Sequence, residues 1–253
     1  MADRDEIIAF CNETLEIDTY VDYGPNGLQV PGRSEVLRVA TAVSAHLASI
    51  EAAIESGADL LLTHHGLFWD FHQRALTDAM ARRLRLALGS DLNLAGYHLP
   101  LDGHPEIGNN ALLLRQLGFE PLPGKIGEAK GRHIGAVGVR PDPISADDLF
   151  TLVARELDRE PLVFAEGPES VATIGIVTGA GASDIHQAIE LGLDAYLTGE
   201  PSEHVMADAR EGGIHFIAAG HYATEICGIR ALGDLVSRRF GIEHEFLDLP
   251  NPI

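Results

Sequence analysis

Two stretches of the chain, 135 positions apart, repeat one another. Ile50–Thr63 laid over Ile185–Thr198 matches at Ile50/Ile185, Ala53/Ala188, Ile54/Ile189, Glu55/Glu190, Gly57/Gly192, Asp59/Asp194, Leu62/Leu197 and Thr63/Thr198, eight of fourteen positions. Each copy reads as a helix, a glycine and a short apolar strand. A helix stopped by glycine and followed by a buried strand is part of a βαβ crossover. A chain that does this twice is committed to α/β layers. The copies part at their tips, where the first runs into His64-His65 and the second into Gly199-Glu200. A shared scaffold with different tips places the chemistry at the tips.

The rest of the chain alternates in the same way. Helices are expected over 5–15, 48–56, 77–88, 109–117, 145–157, 183–191, 202–211 and 224–240, with strands over 37–43, 59–63, 92–97, 134–139, 171–177, 195–197, 214–218 and 243–247. Residues 22–27, Asp-Tyr-Gly-Pro-Asn-Gly, form a turn cluster. The fold class is α/β, with two internally related lobes, each a mixed sheet flanked by helices. A break falls near Pro121-Leu122-Pro123-Gly124, with a second loose segment at Arg159-Glu160-Pro161. The expected division is one lobe of residues 1–124 with 220–253, and a second lobe of 125–219.

Charge removes several classes of function. Lys plus Arg is 18 and Asp plus Glu is 38, a net charge of −20, and the only lysines are Lys125 and Lys130. Such an acidic chain repels phosphate backbones, so nucleic acid is not its main partner. The scarcity of lysine points to a salt-rich cytoplasm, where screening tolerates the charge. No apolar run approaches the ~20 residues of a membrane helix. The first residues, Met-Ala-Asp-Arg-Asp-Glu, are charged and lack a signal-peptide core, so a cytoplasmic protein is expected. Cys11 and Cys227 form no CxxC pair. A zinc-thiolate site is thereby excluded, and a disulfide is not expected in a reducing compartment.

Histidine carries the stronger signal. Three clusters hold metal-ligand residues: Thr63-His64-His65-Gly66, then His98 through Asp102 to His104, and then Gly220-His221 through Glu225. Each follows an expected strand, and the carboxyl ends of strands form the binding edge of an α/β sheet. His221 and Glu225 are four apart, on one face at the start of the expected helix. Neighbouring histidines on a regular strand point to opposite faces. His64 and His65 should share a pocket only if the chain leaves the strand there, with Gly66 permitting the turn. Three imidazoles and two carboxylates exceed the three protein ligands of a catalytic zinc and suit two ions bridged by a carboxylate. Nitrogen and oxygen ligands fit zinc, iron, manganese, cobalt or nickel and do not select among them.

Several of these segments, taken in order, resemble one family. They are Asn26-Gly27-Leu28-Gln29-Val30, Thr63-His64-His65, His98-Leu99-Pro100-Leu101-Asp102, Gly108-Asn109-Asn110, Thr198-Gly199-Glu200 and Gly220-His221 through Glu225. Together they resemble the dinuclear metal-centre hexameric proteins, also labelled GTP cyclohydrolase I type 2 or Ngg-one-interacting-factor-three-like. The likeness runs from the first helix to the C-terminus, in the short form lacking an inserted middle domain. It implies two interlocked lobes, a ring-shaped homohexamer and two divalent metal ions held by His64, His65, Asp102, His221 and Glu225. It further implies a metal-dependent hydrolase acting on a small molecule, with Glu225 or Asp102 as a bridge and His98 as proton shuttle or orienter. His98 and Glu225 are thus the candidate catalytic residues. The alternative is a non-catalytic metal-binding scaffold, carrier or regulatory protein.

Other signals are weaker. Gly179-Ala180-Gly181 opens a helix after a strand, but Asp184 stands where a dinucleotide fingerprint wants glycine, so it reads first as a tight turn. Glu200, Glu203 and His204 read equally as cavity lining and as a solvated helix start. Trp69 and Phe71 read first as core packing and second as a wall over the metals.

Overall fold

Helix and strand alternate along the whole chain in the computed structural model, which describes residues 1–253. The elements through residue 116 are α1 (Arg4–Thr14), β1 (Gly27–Val30), β2 (Arg38–Ser44), α2 (Leu47–Glu55), β3 (Leu60–His65), α3 (Asp78–Gly89), β4 (Asn93–Gly96) and α4 (Asn109–Gln116). Next come β5 (Glu120–Leu122), β6 (Ala136–Ser145), α5 (Ala146–Glu156), β7 (Leu162–Ala165), β8 (Ser170–Val177), α6 (Ile185–Glu190) and β9 (Ala195–Thr198). The chain ends with α7 (Val205–Gly212), β10 (His215–Ala218), α8 (His221–Thr224), α9 (Ile226–Phe240) and β11 (Glu243–Phe246). No helix is long and apolar enough to cross a membrane.

One unit comprises Met1–Leu101 with Gly228–Leu249. Its sheet has the order β11-β2-β3-β4-β1, with β1 alone antiparallel to its neighbour. Leu60, Leu61 and Leu62 are completely buried, as expected of a parallel strand covered on both faces. Ala40, Ala42 and Leu61 of the sheet pack with Ile50 and Ala53 of α2 and Ala87 of α3.

The other unit comprises Asp102–Cys227 with Pro250–Ile253. Its sheet has the order β7-β10-β9-β8-β6-β5, with a parallel centre, β10-β9-β8, and antiparallel flanks. Leu197 and Ile217 face Leu113, Leu149 and Val153, while Tyr196 and Phe216 face Ile185, Ala188 and Val205. That alternation is the period of two that puts successive side chains on opposite faces. Both units are thus mixed sheets flanked by helices.

The internal repeat has a physical content. Gly57 and Gly192 both end their helices at positive φ, 72° and 66°. The next residue then bonds back into the helix, Ala58 N–H to Ala53 O at 2.9 Å and Leu193 N–H to Ala188 O at 3.1 Å. Asp59 accepts from the N–H groups of Leu37 and Arg38 at 2.8 and 3.2 Å. Asp194 accepts from those of Ala172 and Thr173 at 2.9 and 2.8 Å. In each unit one carboxylate ties the repeated strand to the start of the strand beside it.

Three expectations change. The strand expected over 134–139 runs to Ser145, and its register shifts between Val139 and Ile144, the stretch that holds Pro141 and Pro143. β1, β5 and β7 are additional edge strands, in or beside segments read as turn or loose. The helix expected over 224–240 starts earlier and is interrupted. His221–Thr224 makes one turn, Glu225 leaves helical geometry at φ −113° and ψ 7°, and α9 resumes at Ile226.

Candidate metal centre

In the first unit three imidazoles gather at strand ends. His64 and His65 are the last two residues of β3, and His98 follows β4 by two residues. Their ring centroids lie 4.6, 5.2 and 5.6 Å apart, and one ligating atom from each falls within 4.8 Å of the others. The strand does not break to achieve this, contrary to expectation, because His65 still pairs with Ser44. At the terminal positions of a strand, side chains lean along the strand direction and can meet beyond the sheet edge. Gly66 matters for space: a Cβ there would collide with the amide of Gln29, which accepts from Leu67 N–H at 2.7 Å.

Each of these rings is held through Nδ1. His64, fully buried, has Nδ1 3.0 Å from the Tyr97 carbonyl oxygen. A carbonyl only accepts, so Nδ1 carries the proton and Nε2 keeps its lone pair. His98 Nδ1 lies 2.7 Å from Asp22 Oδ1, and His65 Nδ1 lies 3.0 Å from Ser44 Oγ. Asp22 also accepts from Leu99 N–H at 2.9 Å and from the Asn26 amide at 2.9 Å, while Asn26 accepts from His98 N–H at 2.8 Å. Burial pushes the Asp22 carboxyl up, but the His98 and Asn26 hydrogen bonds outweigh it and hold the pKa below the usual range. The turn cluster is therefore the cradle of His98, a role not visible in the sequence. Trp69 stands edge-on to His98 at 5.0 Å and lies 5.9 Å from His65. Phe71 is 71% exposed, so neither aromatic is simple core packing.

In the second unit the carboxylates gather. Asp102 and Glu225 are 4% and 3% exposed, and each places an oxygen within 4.8 Å of the other. Asn109 donates to Asp102 Oδ1 at 2.8 Å, and Asn110 donates to the Asp102 carbonyl at 3.3 Å, which accounts for the Gly-Asn-Asn motif. His221 reaches Glu225 Oε2 with Nε2 at 3.2 Å and Glu200 Oε1 with Nδ1 at 2.5 Å. Glu200 is thus placed as the residue that orients His221. Burial works to lower the His221 pKa, but Glu225 and Glu200 raise it to about 9. Gly179-Ala180-Gly181 is a tight turn. Gly179 has φ 68°, its carbonyl accepts from Gly199 and Glu200 N–H at 2.9 Å each, and a Cβ on it would press on Glu225 and His221. His104 stays outside these groups, its Nδ1 accepting from Glu106 and Ile107 N–H at 3.1 Å to close a turn.

The donor set suits divalent transition metals. Histidines pinned at Nδ1 by an oxygen acceptor present Nε2 in the tautomer a metal takes. Buried like-charged carboxylates within 4.8 Å repel one another, and a cation relieves that repulsion. These buried His, Asp and Glu clusters have the composition to bind a metal. Cys11 takes no part: burial pushes its thiol up to about 12.

The model of Duf34/NIF3 (NGG1p interacting factor 3) matches residues 2–252. The chain belongs to this family. A relative from Pseudomonas aeruginosa, named GTP cyclohydrolase 1 type 2 homolog, is 46% identical over 251 residues, 97% of this chain and 99% of that one. Among solved structures, the protein ybgI, described as of unknown function, superposes with a TM-score of 0.94 at 39% identity and 100% coverage of both chains. TTHA1606 from Thermus thermophilus gives 0.89 at 34% identity, again with 100% of both chains covered. Of the residues that carried the resemblance, Asn109 bonds the candidate ligand Asp102 and Asn26 bonds the His98 backbone.

Proposed function

We propose that the protein is a cytoplasmic, metal-dependent hydrolase of small molecules, with His64, His65, Asp102, His221 and Glu225 as ligands of two divalent ions. The observation that carries this reading is the pinning of His64 by a carbonyl and of His221 by a carboxylate, at 3.0 and 2.5 Å through Nδ1. When bound, the ions supply Lewis acidity, polarising the oxygen of a carbonyl or phosphoryl substrate. His98 moves protons: Asp22 fixes the Nδ1 proton, so Nε2 is the atom that accepts one and returns it. Glu225 is both ligand and a group that steers His221.

The substrate class proposed is an anionic heterocycle, in keeping with the nucleotide named for the relatives. A cavity of about 790 Å³ in the first unit supports this, lined among others by Trp69, Phe71, His72, Arg74, Met80 and Arg83. Aromatic faces suit a base, and the two arginines offer the local cations that phosphate needs on a chain of net charge −20. The active form proposed is a homohexamer, tested by light scattering; a stable monomer at working salt contradicts it.

The decisive experiment reconstitutes the protein with each of Zn, Fe, Mn, Co and Ni and screens nucleotides, phosphoesters and cyclic amides. Turnover abolished by His64→Ala and by Glu225→Gln is the expected result. A flat screen accompanied by tight stoichiometric metal overturns the hydrolase and leaves the carrier.

A further inference from the structure

A different set of side chains joins α6 to α7 in the second unit. His186 lies in the first turn of α6, Asp208 in the first turn of α7, and His204 immediately before α7. His204 Nδ1 is 2.6 Å from Asp208 Oδ2, and His186 Nε2 is 3.5 Å from the same oxygen. The two rings are stacked at 9°, with centroids 6.2 Å apart. One ligating atom from each residue lies within 4.8 Å of the others. All three side chains reach solvent, at 59%, 43% and 23% exposure for His186, His204 and Asp208.

Metal–nitrogen distances of about 2.0–2.1 Å in a tetrahedral shell put neighbouring ligand atoms about 3.3–3.4 Å apart. The His186–Asp208 spacing of 3.5 Å is already there, and the His204–Asp208 pair needs to open by under 1 Å from its 2.6 Å. We propose that His186, His204 and Asp208 form a second, surface metal site, specific for a divalent transition ion such as zinc, nickel or cobalt. Two imidazoles and one carboxylate set this site apart from the diffuse attraction of an acidic chain. Magnesium and calcium answer to charge and oxygen ligands, whereas imidazole nitrogen selects the later transition metals. An ion held there ties the start of α6 to the start of α7 and leaves further coordination positions for water or a ligand.

The test uses the full chain carrying His64→Ala, so that the histidine-rich set of the first unit is broken. Equilibrium dialysis against zinc, with excess magnesium present, should retain one equivalent that depends on His186 and Asp208, beside whatever His65, His221 and Glu225 still hold. Adding His186→Gln or Asp208→Asn should weaken that equivalent by more than the roughly 10–100-fold that loss of a mere supporting group costs. Zinc should also raise the melting temperature of the His64→Ala protein and not of the double variants. His186 is exposed, and the amide oxygen introduced by Asp208→Asn can still accept from His204, so both variants should fold. Equal zinc uptake with and without Asp208→Asn, or displacement of the ion by magnesium, overturns the site. If His64→Ala itself removes no metal from the wild type, the five-ligand reading fails while this one stands.

Discussion

His46 caps α2 in a way most side chains do not. Its Nδ1 accepts from Ser49 N–H at 3.1 Å, while Ser49 Oγ accepts from His46 N–H at 2.9 Å, closing a capping box. Burial, and then the charge of Arg83, depress its pKa. A base whose folded pKa lies below its unfolded value, about 6.5, binds its proton more readily when unfolded. The cap's stability is therefore complete above that unfolded value and is lost as pH falls through it toward the folded one. Denaturation measured from pH 7.5 down to about 5 should show that loss, and His46→Asn, which caps without titrating, should flatten it. Equal slopes in the two proteins contradict the account. At this scale the ligand types were legible, because histidines and acids after strands announce themselves. Asp22 was not, since its pairing with His98 spans 76 positions and no local pattern encodes it. Nor was the use of Gly66 and Gly179 as space for Gln29 and Glu225, which depends on what packs opposite.

At the scale of elements, the repeated helix–glycine–strand unit was the most readable part of the chain, because its glycines and aspartates have local tasks. Gly57 and Gly192 have no atom within 4 Å of a would-be Cβ, so only their positive φ demands glycine. Gly57→Ala and Gly192→Ala should each cost about 1–2 kcal/mol, the penalty of left-handed backbone for an L residue. Urea denaturation should give similar losses for both; a loss confined to one copy would show that the units do not share the device. What escaped was at the sheet margins. β5 is exposed throughout, and β7 at its two ends, and the flanking strands show no buried alternation from which to recognise them. The interruption at Glu225 was also hidden, since the i, i+4 spacing to His221 brings the two side chains to 3.2 Å despite the broken helix.

At the scale of the whole molecule, charge is the dominant fact. A net charge of −20 repels itself in the compact state, and dissolved ions screen that repulsion. The melting temperature should rise between low and molar potassium chloride by several degrees, and an unchanged value would remove the salt-adapted reading. The same acidity concentrates cations around the chain, but it cannot tell one from another. On the proposed reading, selection falls to the imidazoles and to the buried pair Asp102 and Glu225.

Anomalous diffraction from crystals grown with zinc or manganese tests the central claim most directly. The account predicts two strong peaks about 2.0–2.3 Å from ligand atoms drawn from His64, His65, Asp102, His221 and Glu225, apart from any zinc peak at His186, His204 and Asp208. A map with no peak in reach of those five side chains, at full metal occupancy in solution, would contradict it.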